Sequence, residues 1–250
     1  MIFIVEKKAV ICKGDFHPAA LYKGDKKITG YSLEEFTGAD IVTLENCYND
    51  KVYNLQINEN VQSVSVRGKN YFDLDKVPFF NDTTKPYNNG LIATKIADSN
   101  RGDRIPISLP AGKTLYITLD IVDSQISGTA KRVTLDFLDS GRSRVFAWNI
   151  TSTIAHKTYS YTPTKEIKYV QFYFQSNNSQ NAVGDTATVD NIMIRTEGND
   201  TFELYIEPQA IPFENGEPTK DIPTFKGTTV IEVESDITAT ISGKYKKVEE

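Results

Sequence analysis

Residue types that commonly carry chemistry are scarce in this chain. Of its 250 residues, 2 are cysteine, 2 are histidine and 1 is tryptophan. The cysteines, Cys12 and Cys47, are too few for a disulfide framework or a four-thiolate zinc site. The histidines, His17 and His156, are too few for a histidine-rich metal site. We therefore expect no catalytic residues built on thiols or imidazoles.

Long apolar runs and an excess of basic residues are also missing. The apolar run at 1–5 ends at Glu6 and Lys7, which is too short for a signal peptide or a transmembrane helix. We therefore expect synthesis in the cytoplasm without a signal peptide, and no membrane insertion. Lysine and arginine total 28 against 33 acidic residues, a net charge of −5. An acidic balance of this kind argues against a nucleic-acid partner.

What the chain does contain favours β-structure. It has 25 threonines, 13 tyrosines and 13 phenylalanines, residues that suit a pleated, half-buried surface. Apolar and polar residues alternate over 115–121, 132–137 and 169–175, the period of a strand with one buried face. About nine short strands between 90 and 207 predict an antiparallel jelly-roll sandwich. No long amphipathic helix is indicated, although Ser32 and Glu35 could cap a single helical turn.

Turn signals and proline content divide the all-β chain into four parts. Residues 1–68 are predicted to form a small N-terminal β domain for docking and assembly. Residues 69–89 are read as a connector and 90–207 as the central sandwich. Residues 208–250, with Pro208, Pro212, Pro218 and Pro223, are read as a proline-rich arm. The arm is predicted to end in a β hairpin, and the last strand is well placed to pair with another subunit or with the N-terminal domain.

Three segments carry a resemblance to known proteins. Residues 20–31, Ala-Leu-Tyr-Lys-Gly-Asp-Lys-Lys-Ile-Thr-Gly-Tyr, resemble an opening found in minor structural and tail proteins of phages and prophages of Gram-positive bacteria. Residues 204–233, which begin Leu-Tyr-Ile-Glu-Pro and lead through a proline-rich stretch to Gly-Thr-Thr-Val-Ile-Glu-Val, are similar to the way such proteins end. Residues 189–194, Val-Asp-Asn-Ile-Met-Ile, look like the penultimate strand of a carbohydrate-binding-module jelly roll. The resemblance implies a component of a phage tail tip or baseplate, or of a tail-like particle.

One predicted strand offers residues suited to sugar binding. Strand parity places Tyr169, Gln171, Tyr173 and Gln175 on the face opposite the core, and Trp148 could lie nearby. Aromatic faces and planar amides are the groups that bind sugar rings and hydroxyls. The alternative is an ordinary solvated sheet face, or one covered by a neighbouring subunit.

Two further site hypotheses are weaker. In the modules that this chain resembles, the aspartate matching Asp190 often helps to hold a structural calcium, but the same residue could simply bond backbone amides beside a turn. A pair of carboxylates for glycoside cleavage is best represented by Asp120 and Asp136, which share the non-core parity. Neither residue has a feature that selects it from the other acids, so no catalytic residue is assigned.

The resemblance therefore implies a non-enzymatic virion component of a tail tip or baseplate. Its expected partners are other tail proteins, further copies of itself in a symmetric particle and, as an option, host cell-wall carbohydrate. No cofactor is expected apart from the calcium option. A receptor-binding or carbohydrate-binding protein is the first alternative, and a glycan-active enzyme is the second.

Overall fold

The computed structural model consists almost wholly of antiparallel strands. It describes residues 2–5, 8–11, 20–23, 26–38, 41–45, 52–57, 61–78, 84–96, 104–127, 129, 132–174, 181–197, 199–233 and 240–249. In chain order the strands are β1 (Ile2–Val5), β2 (Lys8–Ile11), β3 (Ala20–Lys23), β4 (Lys26–Gly38), β5 (Ile41–Glu45), β6 (Val52–Ile57), β7 (Ser63–Arg67), β8 (Thr84–Tyr87), β9 (Gly90–Thr94), β10 (Arg104–Leu109), β11 (Leu115–Gln125), β12 (Arg132–Leu138), β13 (Arg144–Thr151), β14 (Ala155–Tyr161), β15 (Ile167–Tyr173), β16 (Thr186–Arg195), β17 (Gln209–Glu214), β18 (Glu217–Pro218), β19 (Thr228–Val233) and β20 (Ile241–Glu249). The predicted all-β class is confirmed. The one helical element in these ranges is a 3-10 turn, Leu74–Lys76, so none of the described helices is long and apolar enough to cross a membrane.

The chain folds as two compact units. The first combines residues from both ends of the chain, Met1–Arg67 and Glu207–Glu250, and the second is the continuous segment Gly68–Ile206. The terminal segment, read from sequence as an arm, therefore belongs to the same unit as the N-terminal residues.

In the first unit, strands from the end of the chain lie inside sheets formed by its beginning. A five-stranded sheet has the order β18-β17-β7-β19-β5, and a four-stranded sheet has the order β3-β4-β20-β6. Strands β19 and β20, which were expected to pair as a hairpin, thus lie in two different sheets. Residues 32–35, where a helical turn was considered, lie within strand β4. Buried aliphatic residues from both sheets form one core: Val42, Leu44, Leu55, Val64, Val66, Ile211, Ile222, Ile231, Val233 and Ile241.

The second unit is a sandwich of two antiparallel sheets. One sheet has the order β10-β15-β12-β13 and the other has the order β14-β11-β16-β9-β8. The chain passes from one sheet to the other at each step from β9 to β12 and at each step from β13 to β16. Strand β8 comes from the segment that was read as a connector, so that segment contributes a strand to the sandwich.

The alternation read from sequence sets the sandwich core. Leu115, Ile117, Leu119 and Ile121 of β11 are buried together with the apolar residues of matching parity on the opposing sheet. Those residues are Val133, Leu135, Phe137, Val170, Phe172 and Phe174. Burial of an aliphatic or aromatic side chain stabilises a fold by about 1.5–3 kcal/mol, so these three rows contribute substantially to the stability of the unit, together with the other buried residues of its core.

Candidate functional site

A pocket of about 260 Å³ opens in the sandwich unit beside the turn that joins β8 to β9. Polar and apolar side chains share its wall: Asn70, Phe72, Asp73, Leu74, Asp75, Asn89, Ile192, Phe202, Leu204 and Tyr205. They come from three places, the segment before β8, the β8–β9 turn with the end of β16, and the segment after β16. An apolar concavity with a few convergent polar groups is the usual form of a ligand site.

Asn70 joins these segments through its side chain. Its Nδ2 donates to the carbonyl oxygens of Ile192 (3.2 Å) and Glu203 (2.9 Å). Its Oδ1 accepts from the backbone N–H groups of Phe72 (2.9 Å) and Ile194 (3.1 Å). The side chain uses both donors and both acceptor lone pairs, and the residue is only 3% exposed. Asn70 therefore fixes the pocket wall by replacing regular strand pairing with four hydrogen bonds.

An ion pair between Lys69 and Glu203 links the same segments. The ammonium of Lys69 is fully buried, and it lies 2.9 Å from a carboxylate oxygen of Glu203 and 2.8 Å from Oδ1 of Asn199. Burial of a charge is costly unless it is paired and hydrogen-bonded, and here both conditions are met. The segment that carries Phe202 and Tyr205 is thereby attached to the start of the unit.

Acidic and aromatic groups lie side by side at the pocket mouth. The Asp73 carboxylate accepts from the N–H of Asp75 at 3.0 Å and caps the 3-10 turn. The ammonium of Lys76 lies 3.3 Å from the Asp73 carboxylate and 5.3 Å from the centre of the Tyr205 ring. Leu204 is 62% exposed beside this ring. The mouth thus offers carboxylates, an amide and partly exposed apolar surface to a ligand.

Asp190, in the middle of β16, bonds the rim of the pocket to this strand. Its Oδ1 accepts from the N–H groups of Asn89 (3.0 Å) and Asn191 (2.8 Å), and its Oδ2 accepts from Nδ2 of Asn88 (3.3 Å). Asn88 and Asn191 have positive φ values of 41° and 50°, the left-handed conformation that asparagine tolerates better than most residues. Asp190 therefore stabilises two tight backbone bends through N–H donors.

A polar network leads from this rim across the outer face of the sheet. Asn89 Nδ2 donates to Asn191 Oδ1 at 3.2 Å, and Asn191 Nδ2 donates to Asp120 Oδ2 at 2.8 Å. The other oxygen of Asp120 lies 2.7 Å from Nδ1 of His156. Farther along the same face, the Arg195 guanidinium lies 5.2 Å from the Tyr116 ring centre and donates through Nε to the carbonyl oxygen of Asn199 at 2.7 Å. Burial lowers the pKa of Arg195, although Asp200, Tyr116 and Glu197 act in the opposite direction.

Among the residues predicted as a sugar-binding row, the structure describes the side chains of Tyr169 and Gln171. Gln171 is only 3% exposed, and it pairs across the sheet with Asp136, which is buried and bonded to the Arg144 guanidinium at 2.6 Å. Tyr169 is half-buried. Tyr173 belongs to β15, but its side chain lies outside the described residues, as does Gln175. Polar side chains of neighbouring strands thus bury the amide that was expected to face solvent.

Trp148 lies on the core side of its strand and not beside that row. It pairs with Leu135, is 9% exposed, and stacks on Tyr159 with ring centres 5.4 Å apart. A ring packed between two sheets offers no face to a sugar.

The carboxylates considered as calcium ligands or as catalytic groups are Asp190, Asp120 and Asp136. The carboxylate of Asp190 is surrounded by N–H donors, as described above, and calcium requires a set of oxygen ligands. Within the described ranges, no three histidine, cysteine, aspartate or glutamate residues come together as metal ligands. Asp120 and Asp136 lie on the outer faces of different sheets, so the two carboxylates do not face each other across a cleft. Cys12, Cys47 and His17 lie outside the described residues.

The pocket residues were not found by sequence reasoning. Asn70, Asp73 and Asp75 lie in the segment that was read as a connector, and Phe202 and Tyr205 follow the last strand of the sandwich. The segment before β8 does not alternate, whereas 202–207 does and was predicted to be the last strand of the sandwich; the structure has no strand there. The available signal was an aromatic and acidic cluster at 71–75 next to a strand, which is unusual for a solvated connector.

Comparisons with known proteins give little support for any function. No protein-family model matches the chain, and no curated protein matches it. The VP2 subviral particle of infectious bursal disease virus is similar at 9% identity, with 87% of this chain and 80% of that chain covered and a TM-score of 0.24. The T13 particle of the same virus is similar at 9% identity, with 93% and 81% covered and a TM-score of 0.15. These TM-scores are too low to carry an argument, and the assignment of the fold rests on the strands themselves.

Proposed function

We propose that this chain is a non-enzymatic structural component of a phage tail tip or baseplate, or of a related tail-like particle. In this proposal it is located in the virion, where it assembles with other tail proteins and with further copies of itself. It uses no cofactor, and Asp190 has a structural role through its hydrogen bonds to N–H groups.

One observation supports this proposal above others. Of the two segments that resemble the opening and the end of phage tail proteins, 20–31 lies in the first unit, and 204–233 lies in it from Glu207 onward. Strand β19 from the second segment is paired on both sides, with β5 and β7. A unit that contains the first resembling segment and nearly all of the second fits the role of a docking module, and the continuous sandwich is then available for other contacts.

Electron microscopy tests the particle assignment directly. Antibodies raised against the full chain are expected to label one end of tails, or of tail-like particles, released by a bacterium that encodes it. Antibodies against a capsid protein from the same lysate serve as the control. Labelling of capsids, or abundant protein that never sediments with particles, would contradict the assignment.

The pocket favours a second candidate function, binding of cell-wall glycan by the sandwich. Sugar sites combine ring faces with amides and carboxylates, and the pocket has Tyr205, Phe202, Asn89 and Asp73 together. This candidate replaces the row on β15 with a different site in the same unit. It is compatible with a structural role, because several copies in a particle would compensate for weak single sites.

Substitution of Tyr205 tests this second candidate. Binding of the full chain to purified cell-wall polysaccharide is expected to weaken about tenfold in Tyr205→Ala, since one aromatic contact to a sugar contributes about 1.4 kcal/mol. Tyr169→Ala, on the predicted row, is the matched control and is expected to bind normally, with or without a chelator of calcium. Loss of binding in Tyr169→Ala, with normal binding in Tyr205→Ala, would show that the glycan site lies on the β15 face and not in the pocket.

A further inference from the structure

The edge strands of the sandwich differ in how well they are protected against pairing with another strand. Unpaired backbone groups at a sheet edge attract a further strand, and proteins discourage this with prolines, bulges, charges or short strands. Among the described strands of this unit, the edges are β8, β10, β13 and β14.

Three of these edges carry such a device. Strand β8 has four residues and includes Lys85 and Pro86. Strand β10 includes Pro106, and its register with β15 shifts next to that residue. The register of β13 with β12 shifts between Phe137 and Leu138.

Strand β14 is the exception. Its seven residues pair with β11 in continuous register, from Tyr161 opposite Leu115 to Ala155 opposite Ile121, and none is proline. Its one lysine, Lys157, points its ammonium to the Thr151 hydroxyl at 3.2 Å. The outer side chains His156, Thr158 and Ser160 are exposed. The free edge of β14 is therefore straight, accessible and uninterrupted.

We infer that β14 is the self-association site of this protein, and that it pairs antiparallel with β14 of a second copy about a two-fold axis. The axis would pass beside Thr158, the middle residue of the strand. The inference rests on the edge strands alone and holds whether or not the chain belongs to a tail.

The sequence of β14 is complementary to itself in this register. Thr158 faces Thr158 of the other copy, and threonine pairs across strands are favourable. Lys157 faces Tyr159 of the other copy, which places a cation beside an aromatic ring. His156 faces Ser160, a hydroxyl that its second ring nitrogen could bond. No pair brings two like charges together.

The same arrangement explains why assembly through this edge would stop at two copies. A two-fold interface uses the same surface on both partners and closes on itself. The two five-stranded sheets would form one ten-stranded sheet, whose outer strands are the two copies of β8 with their prolines. One strand pair buries less than the roughly 1,600 Å² of a standard interface, so we expect a micromolar dimer that dissociates on dilution.

Sedimentation of the full chain over a concentration series tests the pairing. The wild type is expected to shift reversibly from monomer to dimer. Thr158→Lys places two ammonium groups opposite each other and is expected to raise the dimer dissociation constant about fivefold or more. Ser108→Lys introduces the same charge on the edge strand β10 and is the matched control. It is expected to leave the dimer dissociation constant unchanged.

Cross-linking fixes the register. Facing residues of an antiparallel pair have Cα atoms about 4.5–5.5 Å apart, within the range of a disulfide. With Cys12 and Cys47 replaced by serine, Thr158→Cys is expected to form a disulfide-linked dimer under mild oxidation, and Ser108→Cys is not. A wild type that stays monomeric, a dimer that Thr158→Lys leaves intact, or equal cross-linking of both cysteine variants would overturn the inference.

Discussion

Replacing Asn70 with alanine is expected to destabilise the sandwich unit by about 3–5 kcal/mol, because four hydrogen bonds in a buried region are lost together. Two carbonyl groups, of Ile192 and Glu203, lose their amide donor, and two N–H groups, of Phe72 and Ile194, lose their acceptor. Each group that stays buried without a partner costs about 1–3 kcal/mol. We expect the unfolding midpoint of this unit to fall by roughly 10 °C or more.

The measurement can be made on this unit selectively. Trp148, the one tryptophan of the chain, lies in the sandwich core, so tryptophan fluorescence follows unfolding of this unit and not of the other. Asn70→Asp keeps the acceptor but removes the donor, and should be nearly as damaging. Asn149→Ala removes one bond, from the Thr134 hydroxyl, at an exposed position, and is expected to cost about 1 kcal/mol. Equal midpoints for Asn70→Ala and Asn149→Ala would show that Asn70 does not fix the pocket wall.

Strand alternation predicted the sandwich core because burial on one face imposes a period of two. Leu115 to Ile121 and Val133 to Phe137 are buried on the predicted face, and the opposite face of β11 carries Tyr116 and Asp120. The signal is local: each strand contains its own pattern. Pairing partners are not local, so the hairpin of β19 and β20 was wrongly expected. Pairing of the last strand with the N-terminal part was considered as well, and β20 does pair with β4 and β6.

Parity did not predict exposure on the outer face. It assigned Gln171 to the side opposite the core, correctly, but the neighbouring strands place Asp136 beside it and Arg144 next to that carboxylate. Whether an outward side chain is covered depends on such cross-strand neighbours, which a single strand does not reveal. Trp148 was considered for sugar binding because of its ring alone. The alternation along β13 places it on the buried face with Phe146 and Ile150.

The pocket was not predicted because bonds between distant segments form its wall. Its wall is held by side-chain bonds of Asn70 and by the Lys69–Glu203 ion pair, between segments about 130 residues apart. The backbone groups of these segments are satisfied by particular side chains and not by a ladder, so the alternation over 202–207 predicted a strand that the structure does not have. The Ser32–Glu35 pattern shows the converse error: a local helix signal was overridden by sheet pairing along β4.

Gly90→Ala is expected to be the second strongly destabilising change, because there is no room for a methyl group at the start of β9. A Cβ atom on Gly90 would lie 2.0 Å from the carbonyl oxygen of Val189 and 2.8 Å from the Cα atom of Asp190. Both are backbone atoms of β16, the strand with which β9 pairs, so neither can rotate away. Relief requires the two strands to separate where Asn89 and Asp190 form the pocket rim.

The cost of this overlap should be about 3 kcal/mol or more, at the upper end of overpacking effects. Gly112→Ala is the matched control: its φ is +77°, but a Cβ atom there meets nothing within 4 Å, so we expect a loss of about 1 kcal/mol from backbone strain alone. Both variants are compared by fluorescence of Trp148 during thermal unfolding. Separation of the strands would also displace the pocket rim. Gly90→Ala should therefore lower the affinity of the pocket for a ligand, whereas Gly112→Ala should leave that affinity unchanged. A larger fall in the unfolding midpoint for Gly112→Ala than for Gly90→Ala would contradict this prediction. Backbone conformation would then explain the need for glycine, and the close approach of β9 to β16 would not.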